Sequence, residues 1–387
     1  MSTLVLLALA TFVLFLSTLV GQPVIPELAA ELGADPGATA AILSSALMVT
    51  VLLQFFTGGL ADRFGRRLVL GAGALAGGLT SLGCALAGEW QWLLAMRILG
   101  GVADAVSMPA LLGLTAELGQ GRQGTFFGVL RSAQGLSFMA GPAIGGALSL
   151  VSLRAPFVVD AGLSLAACGL LVRLAPPGVV QTTEAHTWAQ LRRLKTLFAE
   201  RRYYAYALFV GVDNIAFPVL AAFVPVAARS MGAAPRDIGL MLAVQAACFS
   251  LASWLSGRFS DRLGRRPLVI AAQPAVLISC VGLALADSWQ GMIAWLALYG
   301  LGAGATFVLG LVMAADITPA ADSAGTLGAF DAAVDLLIFA APAVALAVYE
   351  QIGQVAPILL AAGLPALVAL PVALTTRETR KPAVGMA

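Results

Sequence analysis

The sequence predicts an all-α polytopic membrane protein with twelve spanning helices in two pseudo-symmetric six-helix bundles. Three observations carry this. Of the 387 residues, 60% are apolar and only 11% charged, where soluble domains average about 25% charged. Apolar runs of about 20 residues, long enough to cross a bilayer, follow one another with short polar joints. A polar signature near residue 62 returns 199 residues later.

Taken in order, the runs fall at 3–26, 38–60, 67–87, 90–113, 124–149 and 155–174, then at 202–228, 237–257, 267–286, 289–314, 324–348 and 352–374. The apolar N-terminus runs on from Leu4 without a cleavage site and reads as the first span. The longest joint, 175–201, holds Gln181-Thr182-Thr183-Glu184 and the amphipathic stretch from Trp188 to Lys195, suited to lie on a membrane surface. The expected organisation is therefore a bundle over 1–174, a cytoplasmic loop over 175–201, a second bundle over 202–374 and a cytoplasmic tail over 375–387.

Charge sets the orientation. With the N-terminus inside, seventeen basic residues fall on the cytoplasmic face, and only Arg154, Arg229 and Arg236 fall on the other. Positive charge collects in cytoplasmic loops, so both termini are expected in the cytoplasm. A net charge of +2 gives no support for a nucleic-acid partner. The four cysteines and the single histidine, His186, have no metal-ligand spacing. No cofactor is expected, and no phosphate loop or catalytic constellation is visible, so no enzyme is expected. A monomer in the lipid bilayer is the expected state.

The repeat is specific. Gly58 to Arg67, with Asp62, Arg63, Gly65 and Arg66, returns as Gly257 to Arg266, with Asp261, Gly264 and Arg265. The same offset carries Trp90-Gln91 onto Trp289-Gln290. Duplicated halves mark transporters whose substrate site lies near the midplane. Asp62 can face a helix N-terminus, expected near Ala324 at the start of the eleventh span. Arg66 can reach a carboxylate, with Glu117 the nearest candidate. Simple topology anchoring is the competing reading for Arg63 and Arg67.

Ionisable groups at membrane depth are costly, at about 2.5–3.5 kcal/mol each. Asp213 lies mid-span in run seven. Arg97 and Asp104, two turns apart on run four, share a face. Asp331 and Asp335 share a face of run eleven, and Arg131 is the partner of Asp331 in the repeat at an offset of 200. Asp331 and Asp335 could line a water-filled pathway or form a cytoplasmic gate contact with Arg131. Asp160 and Glu27 lie towards the outer ends of their runs and read as interface groups.

Segment 58–70 resembles the loop signature of the major facilitator superfamily at every defined position. Three further segments resemble its twelve-helix drug:proton antiporters. They are Leu16-Ser17 with Pro23-Val24-Ile25-Pro26, then Leu93 with Arg97, Gly100 and Gly101, and lastly Ser137 with Gly141-Pro142 and Gly145-Gly146. The last is similar to the antiporter motif. In that family spans one, four, seven and ten line the cavity, so the resemblance places Asp104, Arg97 and Asp213 on it. It implies a proton-coupled exporter of small amphipathic compounds or drugs in the inner membrane, with protons and a small-molecule substrate as partners. A carrier of a defined metabolite, such as a sugar or amino acid, stays open.

Overall fold

The computed structural model describes residues 2–175, 201–318, 323–352, 358–360, 363, 367, 371 and 378–379. The described residues are helical, with no strand among them. The central loop, the amphipathic stretch 188–195, His186 and most of the twelfth run lie outside them. Nine helical stretches among the described residues are long and apolar enough to cross a membrane. Large apolar side chains such as Leu79, Trp92 and Leu263 are exposed, which suits lipid.

The chain forms two compact units. The first comprises Met1–Glu117, Leu136–Leu194 and Pro319–Ala332. The second comprises Leu118–Gly135, Lys195–Thr318 and Ala333–Ala387.

The first unit begins with α1, Thr3–Val20, then a 3-10 turn, Gln22–Val24, and α2, Ile25–Glu31. Pro23 and Pro26 lack the N–H a continuous helix requires, so the first span breaks where the sequence expectation ran on to 26. Next come α3, Pro36–Phe64, α4, Arg66–Ala85, and α5, Trp90–Leu118. Asp35 caps α3 by accepting from the Ala38 N–H at 2.7 Å, with Pro36 in the first turn. Gly65 ends that helix at φ 87°, in the left-handed region that favours glycine. α7, Ala155–Leu174, packs along both α1 and α4. Val24, Ile25, Leu28, Ile42, Leu93 and Phe157 close one end of this unit as an apolar cluster.

Two helices are divided between the units. Of α6, Gln123–Ser149, residues 123–135 belong to the second and 136–149 to the first. Of α13, Ser323–Ile352, residues 323–332 belong to the first and the remainder to the second.

The second unit contains α8, Arg201–Asn214, α9, Ala216–Ser230, α10, Pro235–Leu263, α11, Arg266–Ala284, and α12, Trp289–Ile317. The seventh run thus breaks at Ile215. Pro218 cannot donate to the Asn214 carbonyl four residues back, and its ring crowds that carbonyl. α10 packs along α12 through Gly300, where an added Cβ would lie 2.5 Å from the Gln245 carbonyl oxygen. The glycines of 300–304 therefore serve close helix packing.

Candidate functional site

The loop signature is built at the junction of α3 and α4. The last turn of α3 places Asp62 against the first backbone amides of α13. Ala324 N–H donates to Asp62 Oδ1 at 3.3 Å and Gly325 N–H to Oδ2 at 2.9 Å. This carboxylate meets the positive end of a helix dipole. The approach requires Gly58, whose added Cβ would lie 2.6 Å from Gly325 Cα and 2.7 Å from the Ala324 carbonyl oxygen. Arg66 donates to Glu117 and, at 2.8 Å, to Ser323 Oγ. Arg63 and Arg67 are exposed.

The repeated signature has the same construction in the second unit. Asp261 accepts from Gly124 N–H at 2.9 Å, Thr125 N–H at 2.7 Å and Thr125 Oγ1 at 2.6 Å, at the start of α6. Arg265, 3% exposed, lies between Asp261 at 2.9 Å and Asp316 at 3.2 Å. Gly264 ends α10 at φ 95°. Glu378 accepts from the Arg265 and Arg266 amides at 2.9 and 3.1 Å, and Thr379 donates to Asp316 at 3.0 Å. Asp316 stands 199 residues after Glu117, so the repeat offset pointed to it, and reading the two arginines alone passed it over.

The acids at depth occupy two different environments. In the first unit Arg97 and Asp104 line one polar cavity of about 50 Å³. Asp160 lines it too, at 7% exposure. That corrects the expectation of an interface group, because α7 turns this side chain inward against α4. Ser81 Oγ donates to Asp160 Oδ2 at 2.6 Å and Ser164 Oγ to Oδ1 at 3.2 Å. Nothing in the sequence pattern marked Ser81 or Ser164.

In the second unit Asp213 is fully buried. Gln273 Nε2 donates to its Oδ1 at 3.1 Å, and Thr306 Oγ1 donates to its Oδ2. Both partners are neutral, and they come from α11 and α12. Asn214, next to the break, donates from Nδ2 to the Val210 carbonyl at 2.8 Å. The Tyr299 hydroxyl is buried without a hydrogen-bond partner among the described residues.

Asp331, 5% exposed in the first unit, accepts from Gln54 Nε2 at 3.1 Å. Asp335 is half-buried on the part of α13 that belongs to the second unit. Arg131, 2% exposed in the second unit, donates to Gln134 Oε1 at 2.6 Å and lies 4.3 Å from the Phe307 ring centroid. That distance is within cation–π range.

The glycines of 137–146 divide by contact. An added Cβ on Gly141 would lie 2.5 Å from Leu19 Cβ, and one on Gly145 would overlap the Val20 carbonyl oxygen. Ser137 Oγ donates to the Phe12 carbonyl at 2.9 Å. Gly146 faces open space, and Pro142 is exposed. Half of α6 is thus seated on α1.

The sequence profile of the Major Facilitator Superfamily matches residues 7–223 and 207–385. The chain belongs to the Major Facilitator Superfamily. It is 27% identical over 157 residues to the quinolone resistance protein NorA of Staphylococcus aureus, a match covering 40% of each chain. It is 29% identical over 305 residues to the class G tetracycline resistance protein of Vibrio anguillarum, covering 73% of this chain and 74% of that one. The human organic anion transporter MFSD10 shares the superfamily fold at TM-score 0.78 and 17% identity, over 96% of this chain and 98% of that one. The proton:xylose symporter XylE shares it at TM-score 0.79 and 16% identity, over 98% and 96%.

Proposed function

We propose that this transporter is a proton-driven exporter of small amphipathic compounds, working by alternating access in the inner membrane. The observation that carries the reading is Asp213, a carboxylate without solvent exposure in a membrane-spanning helix, with Gln273 and Thr306 as its side-chain partners among the described residues. An ionisable group at that depth is retained for a purpose. Two neutral donors can hold it both charged and protonated. Asp104 on the first unit's cavity is the second proton candidate, with Arg97 beside it. The names of the resistance proteins support export of drug-like molecules. The antiporter-type glycines Gly141 and Gly145, seated on α1, support it too.

In this reading Asp62 and Asp261 are latches. Each holds a helix start in one conformation and releases it in the other. Arg131, Asp331 and Asp335 belong to the moving cytoplasmic side. The six-helix halves 1–174 and 202–374 are the rocking bodies, and the uneven distribution of basic residues supports a cytoplasmic position for both termini. The full chain works as a monomer with protons and a small molecule as its ligands. A carrier of a defined metabolite is the second reading, which the likeness to XylE keeps in view.

Everted proteoliposomes test the proposal. An imposed proton gradient should drive uptake of ethidium, tetracycline or a quinolone, and adding the compound should release protons in return. Gradient-independent flux of these compounds, with saturable flux of a sugar or amino acid, would favour the metabolite carrier.

A further inference from the structure

The cavity of the first unit holds three charged side chains that do not touch. Arg97, Asp104 and Asp160 all line it, yet no ion pair or hydrogen bond joins any two of them among the described residues. Asp104 makes no hydrogen bond at all among those residues, and Arg97 Nε is buried without a partner. Among the described residues Asp160 is held by the hydroxyls of Ser81 and Ser164 alone. Buried polar groups left without protein partners are ordinarily satisfied by water. A water needs roughly 10–15 Å³ of such space, so a cavity of about 50 Å³ has room for a short chain of them.

The walls suit such a chain. The hydroxyls of Ser17, Thr80 and Ser107 donate to carbonyls of their own helices at 2.6, 2.8 and 2.9 Å. Their oxygen lone pairs are left to accept from water. Gly73 keeps the Ser107 hydroxyl clear, since an added Cβ there would overlap it.

Charge arithmetic then limits the occupancy. Two carboxylates and one guanidinium leave one negative charge when both acids are ionised. One proton on either acid makes the cavity neutral, and in a membrane span neutrality is strongly favoured. We propose that this cavity is a self-contained proton site in which Asp160 shares a single proton with Asp104 through water beside Arg97. Ser81 and Ser164 keep Asp160 facing the cavity. Sodium in place of the proton is the competing occupant.

The consequence for transport rests on the proton-coupled reading, but the proton binding itself needs no substrate. The test is a pH titration of carboxyl infrared bands on the full-length protein in lipid vesicles, with Asp104→Asn, Asp160→Asn, Ser81→Ala and Asp213→Asn variants. Two acids sharing one proton titrate as a pair. Asp160→Asn should therefore shift the titration of the remaining Asp104 band, and Asp104→Asn should shift that of Asp160. Ser81→Ala should move the Asp160 band, and Asp213→Asn should leave the pair unchanged. Two independent titrations would overturn the sharing. A spectrum untouched by Asp160→Asn would overturn the site. Sodium displacing the band at constant pH would make it a sodium site instead. Gradient-driven ethidium uptake in the same vesicles should fall about tenfold in Asp160→Asn. If wild-type vesicles take up no ethidium, the exporter reading fails while the infrared result stands or falls separately.

Discussion

Asp62 and Gly325 lie 263 residues apart in sequence and 2.9 Å apart across a hydrogen bond, the carboxylate of one capping the helix that begins beside the other. A charge at a helix N-terminus contributes about 0.3–2 kcal/mol, enough to shift a two-state equilibrium severalfold without locking it. A latch needs that magnitude. Asp62→Asn removes the charge and should reduce proton-driven ethidium flux about tenfold, with membrane insertion unchanged. Gly58→Leu should do the same by steric means, because its Cβ would enter the space of Gly325 Cα. Normal flux from both variants at wild-type abundance rules out the latch.

Replacing Asp213 with Asn keeps an acceptor for Thr306 and resembles the protonated acid. Exchange of ethidium across vesicles should persist, while accumulation against a gradient is lost. Proton release and exchange measured in the same vesicles decide the matter. Native proton stoichiometry in Asp213→Asn moves the coupling elsewhere, with Asp104 next in line.

The two signature arginines should differ in stability. The Arg265 side chain is 4% exposed between carboxylates that are 10% and 8% exposed. Arg265→Met leaves those acids buried without their cation, a loss of about 3–5 kcal/mol. The Glu117 side chain paired with Arg66 is 41% exposed, so solvent screens that pair, and Arg66→Met should cost about 1 kcal/mol or less. Unfolding in detergent, followed by tryptophan fluorescence, compares the two. Equal losses would contradict this account.

The glycines of α6 make a sharper contrast. Gly145→Ala puts a methyl into the Val20 carbonyl, whereas Gly146→Ala meets nothing within 4 Å. The first should impair transport or folding. The second should stay within about 0.5 kcal/mol of wild type and transport normally. Thermal melts and ethidium flux on the pair report both effects, and an impaired Gly146→Ala would show that packing onto α1 is not what these glycines provide.

The spans, the repeat and the signature could be read from the chain directly. Crossing a bilayer demands a long apolar run whatever its neighbours, and a duplicated loop keeps its spacing. The offset that carries Asp62 onto Asp261 also carries Glu117 onto Asp316, so both arginine pairings are written in the sequence. The environment of each acid is not. Asp160 looked like an interface residue because distance along the helix axis was all the sequence showed. Its rotation towards Ser81, and the closing of α1, α4 and α5 around the cavity, come from packing. The neutral shell of Asp213 is likewise assembled from α11 and α12. Lipid and protein core are equally apolar, so a spanning helix carries little periodic signal of which face turns inward. Depth is decided by hydropathy, but rotation and neighbours are decided only when the helices of a unit pack together.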